Sequence, residues 1–240
     1  MTIAERIEVI KEKIEKAALR SGRKPGEVQL MGVSKFHTTE KIEEAIRAGL
    51  MFFGESRVQE AVLKYKGFKE EHPDTELHFI GPLQRNKVKA AVPFFDCVQS
   101  VDRESLAAEM AKYAAERVGL FSAAPFPVLL EFRTGEDSKG GFTSLDDLFR
   151  TVELILGCRA NGFPSLNIRG LMTIAPNTGD EGLIRAAFRK LMKIRQELQQ
   201  RVPCGISLSC LSMGMSGDFE IAVEEGSTML RIGTAIFGDV

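Results

Sequence analysis

The chain has 240 residues, of which 44% are hydrophobic and 27% are charged. This balance is typical of a globular protein with a sizeable core and excludes a disordered or fibrous chain. The formal net charge of -1 argues against nucleic acid or an anionic membrane as the main partner, and leaves room for a local basic pocket that binds a small anion.

The cysteines and histidines are scattered, without the spacing of a zinc or redox motif. They are Cys97, Cys158, Cys204, Cys210, His37, His72 and His78. No apolar run approaches the roughly 20 residues that span a bilayer, and the sequence opens on a charged, helix-like segment rather than a signal peptide. We therefore expect a cytoplasmic protein without a structural metal.

The opening segment predicts an amphipathic helix, because its apolar residues recur at intervals of three and four. These residues are Ile3, Ile7, Ile10, Ile14, Ala17 and Ala18. Gly22 and Pro25 then break the helical pattern. An extra N-terminal helix should therefore precede the first strand.

Eight short apolar runs alternate with helix-like stretches over the rest of the chain. The predicted strands are residues 28–34, 51–54, 77–80, 95–100, 128–132, 168–174, 206–211 and 228–232; helices are predicted, for example, at 39–48, 103–117 and 181–200. This alternation implies a parallel sheet, and eight strands close into a (β/α)8 TIM barrel. An open doubly wound sheet is the alternative. No linker divides the chain, so we expect residues 1–240 to form a single barrel domain, with a loose loop at 157–165.

In such a barrel the carboxyl ends of the strands form the functional face. Glycine and serine are frequent at these ends, where they also serve ordinary turns. The last two ends, "SMGMSGD" and "RIGTAIFG", contain Ser212, Gly214, Gly233 and Thr234. Backbone N–H groups at a helix start bind phosphate, and the turns after strands 7 and 8 of barrels frequently hold one. We therefore predict a phosphate-bearing ligand, with Arg231 close to its phosphate or another polar part.

Lys35 directly continues the first predicted strand, "VQLMGVSK". Partial desolvation at a barrel mouth lowers the pKa of a lysine, and a neutral amine attacks an aldehyde to form a Schiff base. The alternative is a rim lysine whose charge reaches solvent, an interpretation that also applies to Lys87 and Lys139. Lys35 differs from both because the sheet backbone fixes its position.

Seven fragments in the same order make the chain resemble the pyridoxal phosphate homeostasis proteins, a family related to the N-terminal barrel domain of alanine racemase. The fragments are "VSK", "FGESRVQE", "HFIGPLQRNK", "DSKGGF", "RGLMTI", "LSMGMSGD" and "GSTMLRIGTAIFG". The resemblance implies a barrel that binds pyridoxal 5'-phosphate (PLP) as a Schiff base with Lys35. It also implies that Ser212, Gly233 and Thr234 hold the phosphate. Arg231 would lie near the pyridine nitrogen, where a guanidinium disfavours ring protonation and weakens the ring as an electron sink.

Three residues depart from the family pattern, and two of them are neighbours. Ser56 and Arg57 stand where "FGENYVQE" has asparagine and tyrosine, and Leu77 replaces a frequent tryptophan. The resemblance places residue 56 against the cofactor, so Ser56 occupies a cofactor-binding position with a shorter side chain. Arg57 changes the local charge, whereas the lysine and the phosphate turns keep the pattern.

The resemblance favours intracellular PLP buffering or delivery, with little or no catalysis. A PLP-dependent amino-acid racemase is the alternative, but racemases of this fold need a second base, which the resemblance places in an additional β domain. Here the sequence ends at Val240, and Tyr65 and Tyr113 lie in helix-like stretches that we expect to be away from the strand ends. A cofactor-free aldolase that uses Lys35 directly is a third hypothesis.

Release of the cofactor raises a separate question about Lys139, in "GEDSKGGF". It is a candidate second amine that accepts the departing aldehyde, with a solvated loop lysine as the alternative. We expect transient contacts with PLP-dependent apo-enzymes. Because no long apolar stripe is left for a partner, we also expect a monomer or a weak dimer.

Overall fold

The computed structural model describes residues 1–118, 125–135, 140–160, 166–203 and 206–239, with only the backbone described for helix residues 115–118 and 158–160. Eight parallel strands form a closed barrel in chain order, in which the first strand pairs with the last. The strands are β1 Gln29–Val33, β2 Phe52–Glu55, β3 Glu76–Phe79, β4 Cys97–Val101, β5 Phe126–Glu131, β6 Leu166–Met172, β7 Cys210–Ser212 and β8 Met229–Ile232. The predicted (β/α)8 barrel is confirmed, and the open doubly wound sheet is wrong.

Helices connect the strands and cover the outside of the barrel. They are α1 Ile3–Arg20, α2 Thr39–Arg47, α3 Val58–Lys64, α4 Phe68–Glu71, α5 Val88–Ala91, α6 Glu104–Val118, α7 Leu145–Ala160, α8 Glu181–Arg201, α9 Phe219–Glu224 and α10 Thr234–Phe237. The predicted helices at 39–48, 103–117 and 181–200 agree with α2, α6 and α8 to within one residue at each end. Within the described residues, no helix is both long and apolar enough to cross a membrane.

Two predicted boundaries were wrong by more than two residues. Residues 157–160 belong to α7 rather than to a loop, and residues 161–165 lie outside the described residues. The seventh strand begins at Cys210, not at residue 206. Gln199 of α8 binds the backbone of the preceding segment instead, donating to Ile206 O at 2.8 Å and accepting from Leu208 N at 2.9 Å. Hydrogen bonds that a strand neighbour would make are therefore made by a helix side chain.

The extra N-terminal helix is confirmed, and all six of its predicted apolar residues are buried. Its first turn is closed by a capping box, in which Thr2 Oγ1 accepts from Glu5 N and Glu5 Oε2 accepts from Thr2 N. The helix packs against α2, α9 and α10, and Arg20 donates to Glu224 at 2.8 Å. Helix α1 therefore covers the seam between the first and last units of the barrel.

The barrel wall separates two different environments. The layer between strands and helices is apolar, and its largest fully buried side chains are Phe53, Phe79, Phe95, Phe126, Phe132 and Phe188. The inside of the barrel holds buried polar groups, including Gln99, Ser212 and Arg231. Because buried polar groups must be hydrogen-bonded, the interior is expected to be highly ordered.

We expect Gly170→Ala to destabilise the barrel, because Gly170 has φ 154° and an added Cβ would lie 1.8 Å from Cys210 O. The clash lies where β6 pairs with β7. Overpacking of this kind lowers the free energy of unfolding by roughly 3 kcal/mol or more. The matched control is Gly157→Ala, at an exposed position of α7 where an added Cβ meets no atom within 4 Å. That change should stabilise by up to about 1 kcal/mol. Urea unfolding measures both, and equal stabilities would contradict the expected strain.

Candidate functional site

The carboxyl ends of β1 and β8 lie side by side at one mouth of the barrel, called here the upper mouth. Gly32 of β1 pairs with Ile232 of β8. An added Cβ on Gly233 would lie 3.5 Å from Val33 Cβ, so the turn after β8 contacts the end of β1. Lys35 begins the turn that follows β1. The structure therefore brings Lys35 next to the last turn of the barrel, as the sequence implied.

The turns after β7 and β8 also contact each other. Arg231 N donates to Gly214 O at 3.0 Å, and Ala235 N donates to Ser216 Oγ at 3.4 Å. Gly214 has φ 99°, which favours glycine at this tight turn. Thr234 begins α10, and the first N–H groups of any helix lack intrahelical partners. The two turns thus form one wall of the upper mouth.

Arg231 is a buried cation inside the barrel, directly below this wall. Its guanidinium donates to Ser212 Oγ at 2.6 Å and to Thr173 O at 2.8 Å. Burial lowers the pKa of Arg231 to about 10, while attraction to Glu131 and Asp218 opposes the shift. The guanidinium therefore stays positively charged at neutral pH, in a fixed orientation.

A chain of hydrogen bonds, called here the interior chain, continues from Ser212 to the opposite end of the barrel. Ser212 Oγ donates to Gln99 Oε1 at 2.6 Å, and Gln99 Nε2 lies 2.8 Å from His78 Nδ1. Since an amide N–H donates to Nδ1, the imidazole proton lies on Nε2, which is 3.1 Å from Glu76 Oε2. Sequence reasoning missed Gln99 and His78, although two polar residues within apolar strand patterns were a usable signal.

Lys35 lies in a tight turn, which His37 N closes by donating to Ser34 O at 3.0 Å. Phe36 has φ 66°, the one positive value at a non-glycine residue in the described part of the chain. The ammonium of Lys35 lies 6.0 Å from the Phe36 ring centroid, and the Arg57 guanidinium lies 5.1 Å from the same ring. The Lys35 side chain is exposed, in contrast to the predicted partial desolvation. Its position is fixed by the turn rather than by burial.

Beneath this turn, Ser34, Glu55, Lys64 and Tyr65 form a hydrogen-bonded group called here the Ser34 network. Ser34 Oγ donates to Glu55 Oε1 at 2.8 Å and lies 2.6 Å from Tyr65 Oη. Lys64 Nζ donates to Glu55 Oε1 and to Ser34 O, both at 2.9 Å. The network joins the ends of β1 and β2 to α3, and so anchors the residue that precedes Lys35.

Tyr65 corrects an expectation from the sequence, which put it away from the strand ends. It directly follows α3, and its side chain points from the helix layer onto Ser34. Burial and the nearby Glu55 carboxylate raise the pKa of Tyr65 well above its usual range. Tyr113 lies in α6, as expected, and is partly buried.

Ser56 follows directly after β2, on the other side of Lys35 from Gly233. Its backbone lies against the end of β3, where an added Cβ on Gly81 would be 2.4 Å from Ser56 O. Ser56 lines a groove of about 320 Å³, to which Lys87 also contributes. Lys35, Ser56, Ser212, Gly214, Arg231, Gly233 and Thr234 therefore all lie at or just below the upper mouth.

Two carboxyl groups at the upper mouth were not predicted. An added Cβ on Gly140 would lie 3.5 Å from Asp102 Oδ2 and 3.7 Å from Glu131 Oε2, so both carboxyl groups flank this glycine. Burial, and then the Asp102 charge, raise the pKa of Glu131 to about 7, while Arg231 opposes the shift. Lys139 lies outside the described residues, so its role stays a prediction.

Among the described side chains, the other histidines and cysteines do not form a cluster at the upper mouth. His37 stacks on Phe237 with 5.0 Å between ring centroids, and burial lowers the pKa of His37. Cys97 and Cys210 are free thiols at the first residues of β4 and β7, and burial raises the pKa of both. Cys204 and the side chain of Cys158 lie outside the described residues.

On the outer surface, Glu43, Glu71 and His72 bring potential ligand atoms within 4.8 Å of one another. Glu71 is exposed and the other two residues are partly exposed. We assign no metal to this group, because exposed acidic groups are common without an ion.

We expect Lys64→Met to destabilise the chain strongly, because it leaves the Glu55 carboxylate buried without its cation. Glu55 is 1% exposed, and its Oε2 has no hydrogen-bond partner among the described residues. Breaking a buried ion pair at one partner costs roughly 3–5 kcal/mol. Urea unfolding should show this loss, and Glu55→Gln added to Lys64→Met should restore much of it. The control Lys66→Met changes an exposed lysine. A Lys64→Met variant as stable as this control would contradict the role of the network.

The raised pKa of Glu131 predicts a stability that falls between pH 4.5 and 7. The native state binds this proton more tightly than the unfolded state, so the native state is disfavoured once the proton dissociates. Glu131→Gln should therefore stabilise the chain at pH 8, on the order of 2–3 kcal/mol, and have little effect at pH 4.5. Asp102→Asn should give a smaller gain with the same pH dependence. A gain from Glu131→Gln that is equal at both pH values would refute this explanation.

Comparison with known proteins agrees with this geometry. Residues 7–240 match the family described as alanine racemase, N-terminal domain. The pyridoxal phosphate homeostasis protein of Vibrio cholerae is 42% identical over 241 residues, covering 99% of this chain and 96% of the relative. That of Aquifex aeolicus is 41% identical over 243 residues, covering 100% and 99%.

Solved structures give the same result. PipY from Synechococcus elongatus, solved with PLP bound, is 36% identical with a TM-score of 0.78, covering 99% of this chain and 100% of PipY. Alanine racemase from Streptomyces coelicolor is 18% identical with a TM-score of 0.66, covers 99% of this chain and 59% of the racemase, and shares the fold. The chain belongs to the pyridoxal phosphate homeostasis protein family, within the larger alanine racemase N-terminal domain family.

Proposed function

We propose that the chain binds PLP at the upper mouth through Lys35 and serves PLP homeostasis by buffering the cofactor or delivering it to apo-enzymes. Membership of the family and the PLP-bound structure of PipY, 36% identical to this chain, support the proposal. The observation that carries it is the placement of Lys35 beside the turns after β7 and β8, with the Arg231 cation beneath them.

The residues of the upper mouth fit this cofactor chemically. When bound, PLP supplies an aldehyde that condenses with a primary amine, and a phosphate that needs hydrogen-bond donors. The exposed side chain of Lys35 offers the amine. The N–H groups of Gly233 and Thr234, at the start of α10, offer donors to the phosphate.

The hydrogen bonds refine the role of Ser212. Its hydroxyl proton is donated to Gln99, and its oxygen accepts from Arg231, so Ser212 is a residue that orients Arg231. Ser216 has a partly exposed hydroxyl between the turns after β7 and β8. We therefore assign the phosphate-binding hydroxyl to Ser216.

Several features favour holding the cofactor over catalysis. Arg231 carries a fixed positive charge, and facing the pyridine nitrogen it would keep the ring unprotonated and a weak electron sink. The Tyr65 hydroxyl is bound within the Ser34 network, and its raised pKa disfavours the phenolate that a racemase base requires.

A racemase remains the second candidate because of one observation. Glu131 lies at the upper mouth, its carboxyl group is buried and its pKa is raised to about 7. A group that titrates near neutrality is suited to accept and return a proton. Residual catalysis, if measured, is assigned to this carboxyl group.

Borohydride reduction tests the proposal. The chain incubated with PLP should turn yellow, and reduction should remove the colour and add one pyridoxyl phosphate group to Lys35, located by peptide mass mapping. Lys35→Ala should abolish the adduct. Lys87→Ala is the matched control, because Lys87 lines the neighbouring groove, and it should keep the adduct.

An adduct that persists on another residue in Lys35→Ala would overturn the assignment. A colourless chain that still forms adducts with substrate carbonyls would favour the cofactor-free aldolase. Rapid racemisation of L-alanine that disappears in Glu131→Gln would favour the racemase over the homeostasis role.

A further inference from the structure

A larger cavity opens at the opposite mouth of the barrel, formed by the amino ends of the strands and called here the lower mouth. Its volume is about 490 Å³, and each of the eight strands contributes at least one lining residue. Sites for small molecules typically measure about 300–1,000 Å³. In barrels of this fold the amino-end face normally serves stability alone, so a roomy polar cavity there calls for an explanation.

Two opposite charges on the cavity wall attract each other without touching. Arg169 projects from β6 and Glu76 from β3, on different sides of the lower mouth. The hydrogen bond from His78, and more weakly the charge of Arg169, lower the pKa of Glu76. Within the described residues, however, no ion pair within 4.0 Å joins Arg169 to Glu76.

Glu76 also accepts from His78 Nε2 at 3.1 Å, and the other two formal charges of the cavity wall pair with each other. Arg23 and Glu27 lie 3.5 Å apart, and Arg23 also donates to Val223 O at 2.7 Å. The wall therefore carries two arginines and two glutamates, and its formal charge is balanced. A simple anion would be attracted by Arg169 and repelled by Glu76, and a simple cation would experience the reverse. A ligand that carries both signs would match Arg169 and Glu76 together.

The rest of the wall suits an apolar side chain. Phe52, Pro127, Leu129 and Met229 supply apolar surface, and the Cys97 and Cys210 thiols lie among them. Arginine and carboxylate form strong, oriented hydrogen bonds, as do ammonium and carboxylate. We propose that the lower mouth binds a free α-amino acid with an apolar side chain, whose carboxylate meets Arg169 and whose ammonium meets Glu76.

This site is distinct from the upper mouth in chemistry as well as in position. No lysine lines the lower mouth within the described residues, so its ligand cannot form a lysine Schiff base there. The proposal is therefore independent of the assignment of Lys35. It can be tested in a chain whose upper mouth cannot form a Schiff base at that residue.

Calorimetric titration of L-methionine into the full chain carrying Lys35→Ala, purified without PLP, tests the site. We expect saturable binding of one methionine per chain. Arg169→Ala and Glu76→Gln should each weaken it at least tenfold, since each removes one of the two charged contacts. Arg47→Ala, which removes an exposed arginine of α2, is the matched control and should leave binding unchanged.

Two further measurements separate this geometry from nonspecific binding. 3-(Methylthio)propanoate and 3-(methylthio)propylamine keep only one charge each and should bind at least tenfold more weakly than methionine. Ser209→Trp, at an exposed position of the cavity rim, should block binding while Arg169 and Glu76 stay in place. Absence of saturable binding up to 10 mM methionine, or binding unaffected by the Arg169 and Glu76 substitutions, would overturn the proposal.

Discussion

The pairing of β1 with β8 is the constraint on which the rest of the structure depends. It joins Lys35 to Arg231 and Gly233, which are nearly as far apart in sequence as the chain allows. In an open sheet with the same strand order these residues would lie on opposite edges. Closure of the barrel places the end of the first strand beside the turns after β7 and β8. Because the strands are parallel, all of their carboxyl ends lie at this same mouth.

Buried charges give the upper mouth its rigidity. Arg231 is held by Ser212 and a backbone carbonyl, and Glu55 is held by Ser34 and Lys64. A buried charge is tolerated only with partners in good geometry, so each contact restricts where the neighbouring backbone can move. The exposed Lys35 side chain thus projects from a fixed backbone, an arrangement that suits the cofactor attachment proposed for it.

Local patterns in the sequence predicted most of the fold. The spacing of apolar residues and the residues typical of turns are local signals. They predicted the helix from Ile3 and seven of the eight strands to within two residues. The seventh strand was misplaced because Gln199, a residue on another element, satisfies the backbone before it. The spacing of apolar residues cannot predict a hydrogen bond to a side chain on another element.

The site was predicted less completely than the fold, for the same reason. Strand ends identified which residues could reach the upper mouth, but not the direction of each side chain. Tyr65 was expected within a helix away from the strand ends, but it lies in the turn after α3 and its hydroxyl reaches Ser34. The phosphate contact of Ser212 stays a prediction, and strand ends could not show that its hydroxyl donates to Gln99. The lower mouth could not be predicted from local patterns, because it forms where residues of eight separate strands converge.

Helix α1 has a consequence for how the protein is made. It packs on α2 near the start of the chain and on α9 and α10 near its end, and the Arg20–Glu224 contact spans 204 residues. During synthesis, β1 therefore cannot pair with β8 until almost the whole chain has been made. Until then its edge is exposed, and unpaired strand edges promote aggregation. We therefore expect the pairing of β1 with β8 under helix α1 to be a slow, late step of folding.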